Sequence, residues 1–439
     1  MVDRGDRMMG KCSALQRIWK MLLILAAGIL AGTFLLLGVY LLPTEPINRH
    51  VEASVPLFQK EGTYPNVTPY CASRLDNWTD SIMLLTAAYE GPEGLLDRAM
   101  GSYYKRTEGL NPQESLVSQY GENGKDPEDT YVISYGRYWH GYLVFLKPLL
   151  LFFDYGGIRM VNLLLQTGVN LYLMFLLYRK NQKRYIFPYV LTVLLLMPLT
   201  TAWSLQFSSV FYLFAAGLIV MIRYQDQWKS GEPYFYYFLI LGMLTSYFDF
   251  LTYPLATFGI PAVMYVCLNR EALKTEIFKG IGFGLSWVMG YVGMWAGKWL
   301  IGSLFTGSDL VSDAMNSVSI RTSGGSEEVA FSTLEMLGKN VTTFLDNPLI
   351  WVGFFFILLL LILGLIKGDR RTLRRDLIVF GGISLLPFIW YLGTGNHSYM
   401  HFWFTYKELC ITAFAWLCLA VHWLPGKGAA ERFGKGVKR

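Results

Sequence analysis

Ten apolar stretches dominate the chain, at 20–42, 157–178, 185–203, 207–222, 233–248, 252–268, 281–303, 348–366, 376–393 and 407–424. Each approaches the roughly 20 residues that a helix needs to cross the hydrocarbon core of a bilayer. Such runs cannot all be buried inside a water-soluble core. Of the 439 residues 53% are hydrophobic and only 16% are charged, against about 25% charged in a soluble domain. The sequence predicts an all-α polytopic membrane protein with about ten transmembrane helices. The first stretch is too long for a signal-peptide core and lacks a small-residue cleavage site, so it reads as a retained helix.

The short loops give the orientation. Lys and Arg cluster before 20–42, after 157–178, 207–222, 252–268 and 348–366, and at the C-terminus; the intervening loops 204–206, 249–251 and 394–406 contain neither. This asymmetry predicts cytoplasmic termini and a plasma-membrane protein. It also accounts for the net charge of +6 without a nucleic-acid partner. The predicted organisation is a basic tail at 1–19, a membrane domain at 20–424 and a second basic tail at 425–439. Within the domain, two long outer loops span 43–156 and 304–347. In the first, the apolar run 141–153 is too short to cross and reads as an interfacial or re-entrant helix, and the polar section 108–129 as a flexible excursion. In the second, Ser323-Gly324-Gly325-Ser326 reads as a hinge. The cysteines form no CxxC pair.

Chemistry-bearing residues gather on the outer side. Asp76 and Asp80 are four apart and share a face if their segment is helical. They are a base with an orienting partner, or Asp76 caps a helix beginning at Asn77. Arg137, Trp139 and His140 lie in an aromatic run before the interfacial helix. Arg137 offers a fork suited to phosphate and Trp139 a face for a sugar, or the run is an aromatic belt with a snorkelling arginine. Arg159 opens the second span, Asp249 sits in a very short outer turn, and Lys298 lies late in the seventh span. Asn396, His397, His401 and Lys407 complete the set; the two histidines suit phosphate or sugar contact better than a metal, because no third ligand follows. P-loop, dinucleotide, GxSxG and HExxH motifs are missing from the sequence, which leaves ATP-driven transport unsupported.

Taken together, the early acidic motif Asp76 to Asp80, the run Tyr138-Trp139-His140-Gly141, the turn Tyr247 to Thr252 and the segment Asn396 to Lys407 resemble the GT-C superfamily of membrane glycosyltransferases, in the bacterial cell-envelope branch. The resemblance implies a GT-C-like fold with interfacial helices in the first outer loop. It implies a polyprenyl-phosphate sugar as donor and a glycan or lipid-linked acceptor. It makes Asp76 the general base, with Asp80 second, and leaves a divalent metal open. The cations Arg159, Lys298, His397 and Lys407 would face the leaving phosphate. The competing reading is a transporter, flippase or polymerase of lipid-linked oligosaccharides. Such a conduit needs ionisable groups near the bilayer midplane, where this sequence has few.

Overall fold

A computed structural model describes residues 2–121, 129–229, 231–323, 325–326, 329–367 and 370–423. The tail at 425–439 and part of the polar section, 122–128, lie outside the described residues, as does Gly324 of the glycine-serine tract. The fold is helical, with two small antiparallel β-pairs.

The long N-terminal helix α1 (Val2–Tyr40) leads into α2 (Thr44–Glu61), α3 (Asn77–Ala88), α4 (Leu95–Gly101), α5 (Pro112–Tyr120) and α6 (Leu143–Leu150) of the first loop. The pair β1 (Tyr104–Thr107) and β2 (Thr130–Ile133) ties this loop together. The expected short apolar helix is α6, which buries Leu143, Leu146 and Leu150 and leaves Phe145 exposed. The polar section departs from the expected excursion, because α5 is a regular helix there. Asn111 accepts from the backbone of Gln113 and Glu114, and Glu114 accepts from Asn111 in return. This is a capping box with proline at the helix start, and Leu116 anchors the helix in the core.

The remaining helices are α7 (Tyr155–Arg179), α8 (Ile186–Leu195), α9 (Pro198–Trp203), α10 (Leu205–Tyr224), α11 (Pro233–Phe248), α12 (Ala256–Leu268), α13 (Leu273–Thr306) and α14 (Leu310–Thr322). The pair β3 (Gly325–Ser326) and β4 (Val329–Ala330) takes in the last two residues of the glycine-serine tract, read from sequence as a hinge. Then come α15 (Thr333–Leu345), α16 (Leu349–Lys367), α17 (Arg370–Ser384), α18 (Leu386–Gly393), α19 (Gly395–Met400), α20 (Phe402–Thr405) and α21 (Cys410–Trp423).

Among the described residues six helical segments are long and apolar enough to cross a membrane: Ala14–Tyr40, Tyr155–Arg179, Leu205–Tyr224, Leu273–Thr306, Leu373–Gly393 and Phe402–Trp423. A seventh is counted if the pair Thr333–Leu345 and Leu349–Gly364, bent by 87°, is one span. The ten expected stretches are all helical, yet several are broken or short. The stretch 185–203 divides where Met197 turns left-handed ahead of Pro198. The 16 residues of α11 reach about 24 Å, short of the roughly 30 Å hydrocarbon core. The chain then leaves helical geometry at Asp249 and resumes it only at Ala256.

Helices α11 and α13 pack closest. A Cβ at Gly242 would run into the Trp287 carbonyl, and one at Gly290 into the Leu239 carbonyl. Small residues thus let the two backbones touch, as membrane helices commonly do. The loops assigned by sequence to one side gather at one end of the bundle. The Asp76 amide donates to Ser204 Oγ at 2.9 Å, His397 Nε2 meets the Leu251 carbonyl at 2.7 Å, and Asn396 Nδ2 donates to the Ile320 carbonyl at 3.0 Å. The opposite end holds Lys180 with Asp226 at 3.0 Å and Arg375 with Glu276 at 2.6 Å.

Candidate functional site

The site begins at the start of α3. Asp76 is the N-cap: Oδ1 accepts from the Thr79 amide at 3.0 Å and Oδ2 from the Thr79 hydroxyl at 3.3 Å. Capping satisfies donors that a helix start leaves without a partner. One turn on, Asp80 is fully buried. Its Oδ1 receives a long contact from the Gln206 amide, 3.4 Å, the Tyr155 hydroxyl lies near the carboxyl, and Oδ2 makes no hydrogen bond within 3.5 Å.

Arg159, in the first turns of α7, closes the site from the side. Its guanidinium donates to Glu61 at 2.7 Å, to Asn77 Oδ1 at 3.0 Å and to the Trp203 carbonyl at 2.8 Å. All three edges of the fork are therefore held, which fixes the positive charge beside α3. Burial pushes Asp80 up to about 7. Tyr155 and Arg159 pull it down, and the neighbouring Asp76 charge adds to the rise. Burial also raises Asp76, against the hydrogen bonds from Thr79 and Gln206. Desolvation disfavours the charged form of a carboxyl group, so Asp80 is poised between acid and base near neutral pH.

An aromatic platform lies next to Asp76. Tyr64, close enough to feel the Asp76 charge, stacks on Trp78 with ring centres 6.3 Å apart and meets Trp403 edge-on at 5.2 Å. Arg106 sits over Trp78 and Arg74 over Trp403, each at 5.8 Å. Tyr64 is exposed. Trp403 continues to His401 at 5.3 Å, and His401 to His397 at 4.8 Å. Both imidazoles are held neutral: burial takes His401 down to about 4, with the Arg321 charge adding to the effect, and drives His397 well below its usual value. Arg321, from the last turn of α14, donates to the Tyr138 hydroxyl. Sequence reasoning missed Arg321, Glu61, Tyr155 and the platform, because nothing local in the sequence shows which distant segments come together.

Several predicted ligands are engaged elsewhere. Arg137 faces both oxygens of Asp313 at 3.2 Å. Trp139 is fully buried, with its indole donating to the Met294 carbonyl at 2.7 Å and its ring against Tyr247, so it is a core residue and not a sugar face. His140 adopts a positive φ of 55° and is bound to the Tyr135 carbonyl at 2.8 Å and the Tyr142 hydroxyl at 3.1 Å. Burial lowers it to about 3, which makes it a neutral strut. Asn396 Nδ2 goes to the Ile320 carbonyl. Asp249 turns back on its own segment, accepting from the Thr252 amide at 3.0 Å and from the Thr252 hydroxyl; burial raises it to about 7.

The buried lysines share one arrangement. Lys298 donates to the Met100 carbonyl, Lys407 to the Leu196 carbonyl and Lys147 to the Ala87 carbonyl, each at 2.8 Å. These carbonyls end α4, α8 and α3 respectively. A cation at a helix C-terminus is stabilised by the helix dipole and by otherwise unpaired carbonyls. Lys298 and Lys407 are thus helix caps with no exposed surface, and their ammonium groups turn to carbonyls. Of the four expected cations, Arg159 is the one whose charge acts on Asp80.

Thr79 occupies the Asp76 oxygens, His397 and His401 lack a third ligand, and among the described residues no three His, Cys, Asp or Glu side chains come together as a metal-binding group. Compared with models of known protein families, with curated proteins and with solved structures, the chain matches none.

Proposed function

We propose that this chain is a GT-C-type glycosyltransferase. It moves a sugar from a polyprenyl-phosphate donor to a hydroxyl of a cell-envelope glycan or lipid-linked acceptor, on the outer face of the plasma membrane. In this reading the chain spans about ten times with both termini in the cytoplasm. The observation that carries it is Asp80: a buried carboxyl with one oxygen that lacks a hydrogen-bond partner, beside a fixed arginine, at the end of the bundle where the loops gather.

Asp80 replaces Asp76 as the base. A general base needs a free oxygen and a pKa near the working pH; the Asp76 oxygens already serve the α3 cap. In the reaction the acceptor oxygen attacks the anomeric carbon and its proton passes to Asp80 Oδ2. The bond from that carbon to the phosphate oxygen breaks, and polyprenyl phosphate leaves with the electron pair. A single displacement inverts the configuration. Tyr64, Trp78 and Trp403 offer the sugar apolar faces, and Arg321 supplies positive charge for the phosphate.

The test is turnover by the purified full-length protein in detergent, given polyprenyl-phosphate hexoses and cell-envelope acceptors. Release of polyprenyl phosphate matched by a new glycosidic linkage of inverted configuration supports the reading, and Asp80→Asn must remove it. Lipid-linked sugar that crosses a vesicle membrane unchanged, with no linkage made, overturns it in favour of transport.

A further inference from the structure

A second candidate site lies at the end of the bundle opposite Asp80. There Phe235, Lys274, Thr275, Phe278 and Lys279 line an open recess of about 400 Å³. Phe235 begins α11, and the other four lie in the first two turns of α13. A third cation borders it, since the Arg17 guanidinium of α1 lies 4.3 Å from the centre of the Phe235 ring. Glu271 is paired with Lys279 at 2.5 Å. The opposite wall is the glycine turn at Gly231, where φ is +78° and a Cβ would come within 2.9 Å of Lys279 Nζ. Glu232, at the start of α11, is a second carboxylate, and Glu276 is taken by Arg375. Lys274, Lys279 and Arg17 against Glu271 and Glu232 leave an excess of one positive charge.

The recess continues into an apolar track. Lys274, Phe278, Ile281, Leu285, Val288 and Val292 follow one another at steps of three or four, so they form one stripe along α13. From Phe278 to Val292 every member of the stripe is between 48% and 65% exposed. A free anion has no use for such a stripe, whereas an acyl chain lies along it. We infer that this recess binds an anionic phospholipid, with the phosphate at Lys274, Lys279 and Thr275 and one acyl chain along the α13 stripe. The inference does not depend on the transferase reading.

Native mass spectrometry of the full-length protein tests it. The probes are phosphatidylglycerol, phosphatidylcholine with the same chains, and inorganic phosphate. Phosphatidylglycerol is expected to bind more tightly than phosphatidylcholine. A basic residue near the headgroups contributes about 1 kcal/mol, or about fivefold in affinity, so Lys274→Gln weakens phosphatidylglycerol about fivefold and the double change with Lys279→Gln about 25-fold. Lys274→Arg with Lys279→Arg retains binding, which separates lost charge from lost fold. Phe278→Ala weakens the lipid and leaves inorganic phosphate unaffected. Equal binding of the two lipids overturns the proposal, as does wild-type binding by a monodisperse double glutamine variant. Displacement of phosphatidylglycerol by equimolar inorganic phosphate would assign the recess to a soluble anion and overturn the lipid.

Discussion

The two ends of the bundle handle buried charge in opposite ways. Away from the long loops, acids face cations directly: Arg375 lies 2.6 Å from Glu276 and 2.7 Å from Asp376, and Arg270 lies 3.9 Å from Asp376. At the loop end, buried ions mostly meet the main chain. Lys147, Lys298 and Lys407 take helix-terminal carbonyls, and Asp249 and Glu408 accept backbone amides. At the far end the ion pairs tie α13 to α17; at the loop end Arg159 is tied to Glu61 at 2.7 Å, while Asp80 Oδ2 has no hydrogen-bond partner.

The sharpest way to break this contrast is Asp80→Asn. We expect transfer to fall by about 10²–10⁴-fold, the usual contribution of a general base, at normal expression and thermal stability. The wild-type rate should rise as pH passes through about 7, because Asp80 acts only when ionised. Stability runs the other way. The folded pKa lies above 3.8, the ordinary value of an aspartate side chain, so the native state binds more protons than the unfolded chain between those values. The Asp80 contribution to stability is present below 3.8, is lost as pH rises to about 7 and changes no further above it. A pH–rate profile with no inflection near 7 would remove Asp80 from the reaction.

At the opposite end the effect should appear in stability and not in chemistry. Arg375→Met leaves Glu276 and Asp376, both buried, without their main counter-charge. Breaking a buried pair on one side costs about 3–5 kcal/mol, which thermal unfolding in detergent would show as a large drop in midpoint. Protein that remains folded should transfer sugar at the wild-type rate. A lost rate without lost stability would mean that the two ends do not divide the work in this way.

How much of this was legible in the sequence depends on range. Helices follow from local apolarity: the ten stretches are largely helical, though six or seven segments among the described residues are long enough to cross a membrane. The break at Met197 was not visible, since methionine continues the apolar pattern around it, whereas the acidic Asp249 marked the turn at 249–251. The capping box at Asn111 and Glu114 was present in the sequence but was outweighed by the polar composition around it. Asp76 and Asp80 were found by spacing, and their cap-and-free-oxygen division required the positions of Thr79 and Gln206. Trp139, Lys298 and Lys407 look like ligands in sequence because tryptophan and lysine suit sugars and phosphates. Only the fold shows that each is bound to a carbonyl some 155 to 211 positions away.

A smaller effect tests the lysine caps. Lys298→Met keeps most of the side-chain volume and removes the donor to the Met100 carbonyl. A buried acceptor left unsatisfied costs about 1–3 kcal/mol, so the unfolding midpoint should drop by less than in Arg375→Met. The KM for donor should stay within about twofold of wild type, a span of well under 1 kcal/mol. A large rise in KM with an unchanged midpoint would return Lys298 to the role of phosphate ligand.

The smallest effect is expected at Asp76, the residue that the resemblance made the base. Asn and Asp are about equally good N-caps, so Asp76→Asn keeps an oxygen for the Thr79 amide and should leave stability within about 0.5 kcal/mol. The substitution also removes a negative charge that raises Asp80. The inflection of the pH–rate profile should therefore move to lower pH, and the rate below neutrality should hold or increase. The opposite assignment makes an incompatible demand: if Asp76 takes the proton, Asp76→Asn must lose the 10²–10⁴-fold typical of a base and Asp80→Asn must lose less. Measuring both variants in one transfer assay across pH 5 to 9, a range of about two units either side of neutrality, decides between them. The ratio of their rates distinguishes the assignments whatever sugar the donor carries.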